Sequence, residues 1–237
     1  MIDAKELELK IKQNKAIPVK FCGQHLILDS DGIIFWPACN TLIISDLHLE
    51  KGSFLNQFGN TLPTIDTHDT LVRMQVAIER YKPACVICLG DSFHDRNAVK
   101  RMHENDLNFL NSTISGLKKW IWILGNHDPV IPDNILGLRM KRTTLFSIEL
   151  CHEPSDICIP KSHEGQIFGH FHPKISTYIS RQKFTGKSFL LDKNLLLMPA
   201  FGSYTGGLSV DDKAIATLFC KQSTKTYLLY DKKLIML

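Results

Sequence analysis

Three short apolar runs constrain this chain more than any other feature. Residues 41–45, 85–89 and 120–124 are each five residues long and almost free of charge. Runs of that length, apolar on both faces, read as strands buried in a parallel sheet. Between the first two, Leu71, Met74, Ile78 and Tyr81 recur at helical spacing within 69–81. Between the second and third, Leu107, Leu110, Ile114 and Leu117 repeat the pattern. Strand, helix, strand, helix, strand predicts parallel βαβ units. Upstream, 24–28 and 33–36 flank Asp29-Ser30-Asp31-Gly32, the signature of a hairpin.

The second half has a different rhythm. Residues 147–150, 157–159, 166–169, 174–179, 189–191, 195–198, 214–220 and 226–230 read as strands, with Asp192-Lys193-Asn194 as a turn between two of them. That half is expected to be β-rich and largely antiparallel. With 237 residues, 44% of them hydrophobic, and no repeat or linker, the chain is expected to form one α/β domain over 1–237. No run approaches the roughly 18 apolar residues a membrane helix needs, and residues 1–10 are too charged for a signal peptide. A cytoplasmic location is the expectation. Against 28 Lys+Arg stand 24 Asp+Glu, and a net charge of +4 does not by itself demand nucleic acid. The seven cysteines, at 22, 39, 85, 88, 151, 158 and 220, are odd in number and scattered, which suits reduced thiols. Cys85 and Cys88 have C-x-x-C spacing, but a strand sends i and i+3 to opposite faces, so both read as core residues.

Chemistry gathers where the buried runs end. Asp46-Leu47-His48 follows the first, Gly90-Asp91 the second and Gly125-Asn126-His127-Asp128 the third. Downstream, His152 and Gly169-His170-Phe171-His172 follow two further strands. Ligands in parallel α/β sheets collect beyond the carboxyl ends of the strands. Asp, Asn and His donors suit divalent ions such as Mn²⁺, Fe²⁺ or Zn²⁺. If Asp46-Leu47-His48 is extended, its first and third residues face one ion together, and the same geometry would pair His170 with His172. The two oxygens of Asp91 could bridge two ions.

In this order the motifs Asp46-x-His48, Gly90-Asp91, Gly125-Asn126-His127-Asp128, His152 and Gly169-His170-x-His172 resemble those of the calcineurin-like metallophosphoesterases. A narrower similarity, carried by Asp46-Leu47-His48-Leu49-Glu50-Lys51-Gly52, His152-Glu153-Pro154, Gly169-His170-Phe171-His172-Pro173 and the segment 197–207, is to the bacterial ligase-associated DNA-damage-response endonuclease branch. The resemblance implies two mixed β-sheets packed face to face with flanking helices. It implies a phosphodiesterase using two divalent ions, Mn²⁺ first among them, and a metal-bridging hydroxide. Asp46, His48, Asp91 and His172 would hold one ion, and Asp91, Asn126, His152 and His170 the other. His127 would face the scissile phosphate, with Asp128 orienting its ring. For the narrower branch, the substrate would be DNA and the associates a ligase and a helicase.

One departure stands out: the second motif, commonly Gly-Asp-x-x-Asp, here reads Gly90-Asp91-Ser92-Phe93-His94 with Asp95 next. His94 is therefore a candidate to support a ligand or touch substrate. His163 rivals His152, but Lys161-Ser162-His163-Glu164 reads as a loop before its strand. Lys51, Arg96, Lys100 and Arg101 follow the motifs and are candidates to meet substrate phosphates, or are solvated surface charge. The segment 202–207 reads either as a rim loop or as a tight structural turn. A nucleotide-lipid pyrophosphatase would be expected to carry an apolar cap that the sequence does not display. A phosphomonoesterase stays open, as does a non-catalytic scaffold on the same fold, although every ligand position is filled.

Overall fold

A computed structural model describes residues 1–154 and 164–237. The expected strand 157–159, Cys158 and His163 lie outside the described residues.

The first sheet begins after helix α1 (Ala4–Lys12) with strands β1 (Ala16–Phe21), β2 (Gln24–Asp29) and β3 (Ile33–Trp36). It continues through β4 (Thr41–Ile44), helices α2 (Lys51–Asn56) and α3 (Asp66–Tyr81), β5 (Cys85–Leu89), helices α4 (Ala98–Arg101) and α5 (Glu104–Ser115), β6 (Lys119–Ile123) and β7 (Leu138–Met140). Its strands lie side by side in chain order. The pairs from β1 to β4 are antiparallel and those from β4 to β7 parallel, with Ile43 opposite Ile87 and Ile87 opposite Ile121. The hairpin and both βαβ units are thus as the sequence predicts.

The second sheet holds β8 (Arg142–Leu145), β9 (Ile148–Cys151), β10 (Gly165–Phe168), β12 (Gln182–Leu191), β13 (Leu195–Leu197), β14 (Lys225–Tyr230) and β15 (Lys233–Met236), with β11 (Lys174–Ile179) paired to β12 and helix α6 (Lys213–Ala216) before β14. Most of its pairs are antiparallel, but β9, β10 and β13 run parallel. Both sheets are therefore mixed.

Alternation along the strands explains the layering. Ile43, Ile87, Leu89, Ile121 and Ile123 point from the first sheet onto Ile148, Leu150, Ile167, Phe189 and Leu196 of the second. Their strand neighbours Leu42, Ile44, Val86 and Trp122 face the other way, onto Leu71, Met74 and Ile78 of α3 and Leu110 and Ile114 of α5. Cys85 packs at the inter-sheet side and Cys88 at the helix side, the opposite-face placement their spacing predicts. A third, smaller cluster puts Ile215 and Phe219 on the outer face of the second sheet. Buried Asp29 ties the layers near the amino terminus, pairing with Lys10 at 2.8 Å and accepting from the Tyr81 hydroxyl.

One element is corrected outright. Residues 214–220 are not a strand but the short α6 followed by turns. The Asp212 carboxylate accepts from the Ala214 amide at 2.9 Å and starts the helix. Ile215 and Phe219, four apart, reach one cluster, a spacing that a strand and a helix both allow, so the Asp212 cap decides between them. Strand β1 carries no plain signal because Pro18 interrupts it, and proline is tolerated there because β1 edges its sheet.

Candidate metal centre

The five strand ends meet on one rim. Strands β4, β5 and β6 are parallel neighbours, so Asp46-His48, Asp91 and Asn126-His127-Asp128 emerge side by side. Strands β9 and β10 are parallel neighbours in the facing sheet and deliver His152 and His170-His172. The His170 amide links the two sheets by donating to the Asp46 carboxylate (3.1 and 3.2 Å), and within the second sheet the Gly169 amide donates to the His152 carbonyl at 3.1 Å.

Three clusters of possible ligands result among the described residues: one joins His48 to His94 and His127, and the other two gather the expected ligands. Asp46, His48 and His172 bring one donor atom each to within 4.8 Å of one another, and so do Asp91, His152 and His170. In the first group the His172 Nε2 is 3.1 Å from Asp46 Oδ1 and 3.2 Å from His48 Nε2. In the second the His152 Nε2 lies 3.3 Å from Asp91 Oδ2 and 2.9 Å from Asn126 Oδ1. The His170 Nδ1 is 3.1 Å from that same amide oxygen. Asp91 Oδ2 also lies 3.8 Å from His48 Nε2, so one carboxylate oxygen faces both groups. All seven candidate ligands are brought together. The expected pairing of His170 with His172 is corrected: they serve different groups.

The reason lies in the backbone. The segments are not extended; Asp46, His48, Asp91, His170 and His172 all have φ between 45° and 71°. Such left-handed residues without glycine's freedom cost about 1–3 kcal/mol each and cluster at functional sites. They turn the side chains inward where i, i+2 alternation would not. The segments after β4 and β5 stay bonded to each other, His48 N to Asp91 O at 2.9 Å and His94 N to Leu49 O at 3.0 Å. Two motif glycines are required by crowding. A Cβ on Gly125 would collide with the Asp91 carboxylate and amide, and one on Gly169 with Ser45 Oγ and Asp46 Oδ2.

Charge separates the groups. Burial pushes the His48 pKa down to about 3 despite the Asp46 charge, so its ring is neutral. Burial likewise lowers His170, helped by His152. His152 goes the other way: burial opposes, but contact with Asp91 and the Asp46 charge raise it to about 9. Burial works to raise Asp46 and Asp91, yet the histidines around them hold both below the usual carboxylate range. Two buried carboxylates converging on imidazole and amide donors are a seat for cations, and this donor set fits divalent ions. The His152 Nδ1 donates to the Leu89 carbonyl at 3.0 Å, which leaves Nε2 as its lone-pair atom.

The expected role of Asp128 is corrected. Its carboxylate accepts from the backbone amides of Asp91 (3.1 Å), Ser92 (2.7 Å), Phe93 (3.1 Å) and Gly125 (2.9 Å), and so braces the Asp91 loop. Burial raises its pKa to about 7 against the pull of the Phe93 and Gly125 amides. The His127 ring is instead held by His94: its Nδ1 donates to the His94 carbonyl at 2.6 Å, and the rings stack with centroids 5.1 Å apart. The His94 Nδ1 also contacts the His48 Nδ1 at 3.1 Å. His94 thus supports both the His48 and the His127 rings at once. Arg101 is committed elsewhere, to Asp95 and to Ser53 Oγ at 3.1 Å.

Sequence reasoning missed a clamp behind Asp46. Lys187 donates to the carbonyls of Ala200 (2.6 Å) and Gly202 (3.0 Å), and Arg73 to that of Phe201 (2.8 Å). The amides of Phe201 and Gly202 donate to Ser45 O (2.8 Å) and Asp46 O (3.0 Å). The start of the 202–207 segment therefore backs the Asp46 loop, its carbonyls capped by two cations. Nothing in the sequence marks Lys187, an isolated lysine in a strand.

With this geometry in hand, likenesses to known proteins gain meaning. The sequence profile of calcineurin-like phosphoesterases matches residues 40–174. Among solved structures, Pseudomonas putida nuclease MPE is 26% identical, with a TM-score of 0.70 over 94% of this chain and 100% of that one. The E. coli phosphoesterase Yfce is a far looser likeness, 12% identical with a TM-score of 0.42 over 83% of this chain and 97% of its own. No curated protein sequence matches.

Proposed function

This chain belongs to the calcineurin-like phosphoesterase family and is a phosphoester hydrolase, and from that premise we propose that it is a dinuclear phosphodiesterase, with DNA as substrate and Mn²⁺ as its ions. The observation that carries the reading is the division of seven side chains into two groups with Asp91 facing both. Asp46, His48, Asp91 and His172 would hold one ion; Asp91, Asn126, His152 and His170 would hold the other. Bound there, two divalent ions supply positive charge for a phosphate and acidify a water molecule.

The rest is work for the chain itself. His127 is half-exposed beside the ligand groups, and because its Nδ1 is spent on the His94 carbonyl, Nε2 is the atom left to give a proton to a departing alkoxide. His94 fixes that ring by stacking and through its carbonyl. Asp128, bound to four amides, keeps Asp91 in register with both groups. The nuclease from Pseudomonas putida supports nucleic acid as the substrate class. Among the described residues no helix is long and apolar enough to cross a membrane. We place the protein in the cytoplasm, acting as one domain over 1–237 in DNA repair beside a ligase and a helicase.

The test is hydrolysis of bis-p-nitrophenyl phosphate beside p-nitrophenyl phosphate by protein stripped with chelator and reloaded with Mn²⁺. Metal-restored diester cleavage well above monoester cleavage is the expected result. Preference for the monoester would make it a phosphatase, and no turnover of either with metal bound would favour a scaffold.

A further inference from the structure

We propose that the face of α2 carrying Lys51, Phe54 and Phe58 seats the departing side of an unpaired DNA strand, with a base lying on Phe58 and a phosphate meeting Lys51; this rests on the phosphodiesterase reading above. Contacts between rings lead outward from the centre to that face. The His94 ring stacks on that of His127, Phe54 meets His94 edge-on with centroids 4.8 Å apart, and Phe58 meets Phe54 at 5.1 Å. Since His127 Nε2 is the atom left to protonate the departing alkoxide, the departing nucleotide starts at the inner end of this row.

The face selects its occupant by offering rings and a cation together. Residues 51, 54 and 58 stand three and four apart, on one side of a helical turn. The chain still turns in the helical sense at Phe58, whose amide donates to the Leu55 carbonyl at 3.0 Å. Phe54 is half-buried, with the Arg101 guanidinium 5.8 Å from its ring centre, whereas Phe58 is 71% exposed. An exposed ring in a row that starts at the proton donor is a platform for stacking an unpaired base, which a base-paired duplex does not offer. Lys51 is half-buried and makes no ion pair among the described residues. Burial and the charge of Lys174 push its pKa below the ordinary lysine value, against the pull of Asp66. Its own charge is felt at His94, second to burial in holding that ring's pKa down to about 4. The acids around Lys51 are already engaged. Asp66 accepts from the Gly52 amide at 3.0 Å, Asp95 pairs with Arg101, and Glu50 accepts from Ser53 (2.6 Å) and Thr67 (2.9 Å). An uncommitted cation calls for an anion, and an anion that brings its own flat ring to this face is a nucleotide. A purely apolar partner would use the rings and leave Lys51 without a counter-charge.

The experiment compares wild type, Phe58→Ala, Phe58→Leu, Phe58→Trp and Lys51→Met, all loaded with Mn²⁺, across a series of salt concentrations. The substrates are a single-stranded oligodeoxynucleotide, the same strand built of abasic residues, and bis-p-nitrophenyl phosphate. Phe58→Ala and Phe58→Leu are expected to lower kcat/KM on the normal strand about tenfold and Phe58→Trp to match wild type, because stacking needs an aromatic ring rather than apolar bulk. On the abasic strand the three Phe58 variants should equal wild type. Lys51→Met should flatten the salt slope on both strands by about 0.7, the loss of one single-strand phosphate contact. On the small diester, which has neither a nucleobase nor a second phosphate, every variant should stay within about twofold of wild type. Unchanged cleavage of the normal strand by Phe58→Ala overturns the seat and leaves the exposed ring as a protein-docking surface. A Phe58→Ala loss that persists on the abasic strand or the small diester, or an unchanged salt slope in Lys51→Met, also overturns it while leaving the phosphodiesterase standing. So does wild type that cleaves the small diester but neither strand. Failure of wild type on all three substrates would instead defeat the underlying reading.

Discussion

The two ligand groups share Asp91 and a rim yet are built differently. The first, Asp46, His48 and His172, is stiffened by side chains: His48 leans on His94, and the Asp46 loop rests on the segment capped by Lys187 and Arg73. The second, Asp91, Asn126, His152 and His170, is fixed largely by main chain, through the Leu89 carbonyl on His152 and the amide of His127 on Asp91 at 2.9 Å. Electrostatically they diverge as well. His48 is held neutral, whereas His152 sits between two carboxylates that favour its protonated form. The difference teaches that the second group calls for positive charge and takes a proton when no ion is there, while the first has its donors ready.

The harshest way to break the comparison is to remove what both groups share. Asp91→Ala should empty both seats and reduce diester hydrolysis to background, measured as metal content and turnover together. Next comes His127→Ala, which belongs to neither group. It should keep its metal and lose roughly 10²–10⁴ in kcat, the range for a general acid; equal metal loss in both variants would contradict the division of roles. His94→Ala should cost about 10–100-fold in activity, as loss of a ligand's supporting partner does. Its metal loss should come first from the His48 group, read by titrating Mn²⁺ into variant and wild type.

A gentler test sharpens the charge difference. His152 has a folded pKa of about 9 against an ordinary value near 6.5. The stability its proton gives the metal-free protein is therefore full below pH 6.5 and lost as pH climbs toward 9. At pH 8 Asp128, near 7, has already ionised, whereas His152 still holds its proton. Filling the second group should then release close to one proton per ion and filling the first none, measured by calorimetry in two buffers of different ionisation enthalpy. The smallest effect on turnover is expected from Lys187→Met. It should lower unfolding stability by about 1.5–3 kcal/mol, the worth of hydrogen bonds from a charged donor, and weaken activity only severalfold.

How much of this was legible in the sequence follows from how local each cause is. Strands β4, β5 and β6 are buried on both faces, so their apolar runs announce themselves, and the motif residues at their ends follow. The strand reading of 214–220 failed because Ile215 and Phe219 are also compatible with a short helix, and the Asp212 cap decides between them. The seven candidate ligands were legible as one neighbourhood, and spacing alone paired His170 with His172; left-handed backbone at Asp46, His48, His170 and His172, which the residue types do not encode, sets those two apart. The Asp128 contacts with four amides and the Lys187 clamp join residues up to dozens of positions apart; only the folded chain brings them together.

The claim on which the rest depends is that two ions sit side by side with Asp91 between them. Electron paramagnetic resonance of the Mn²⁺-reloaded protein, beside its metal content, tests this most directly. Two ions per chain with the multiline spectrum of an exchange-coupled pair is the predicted result, collapsing to single-ion signals or none in Asp91→Ala. One ion per chain, or two without coupling, would contradict a shared centre.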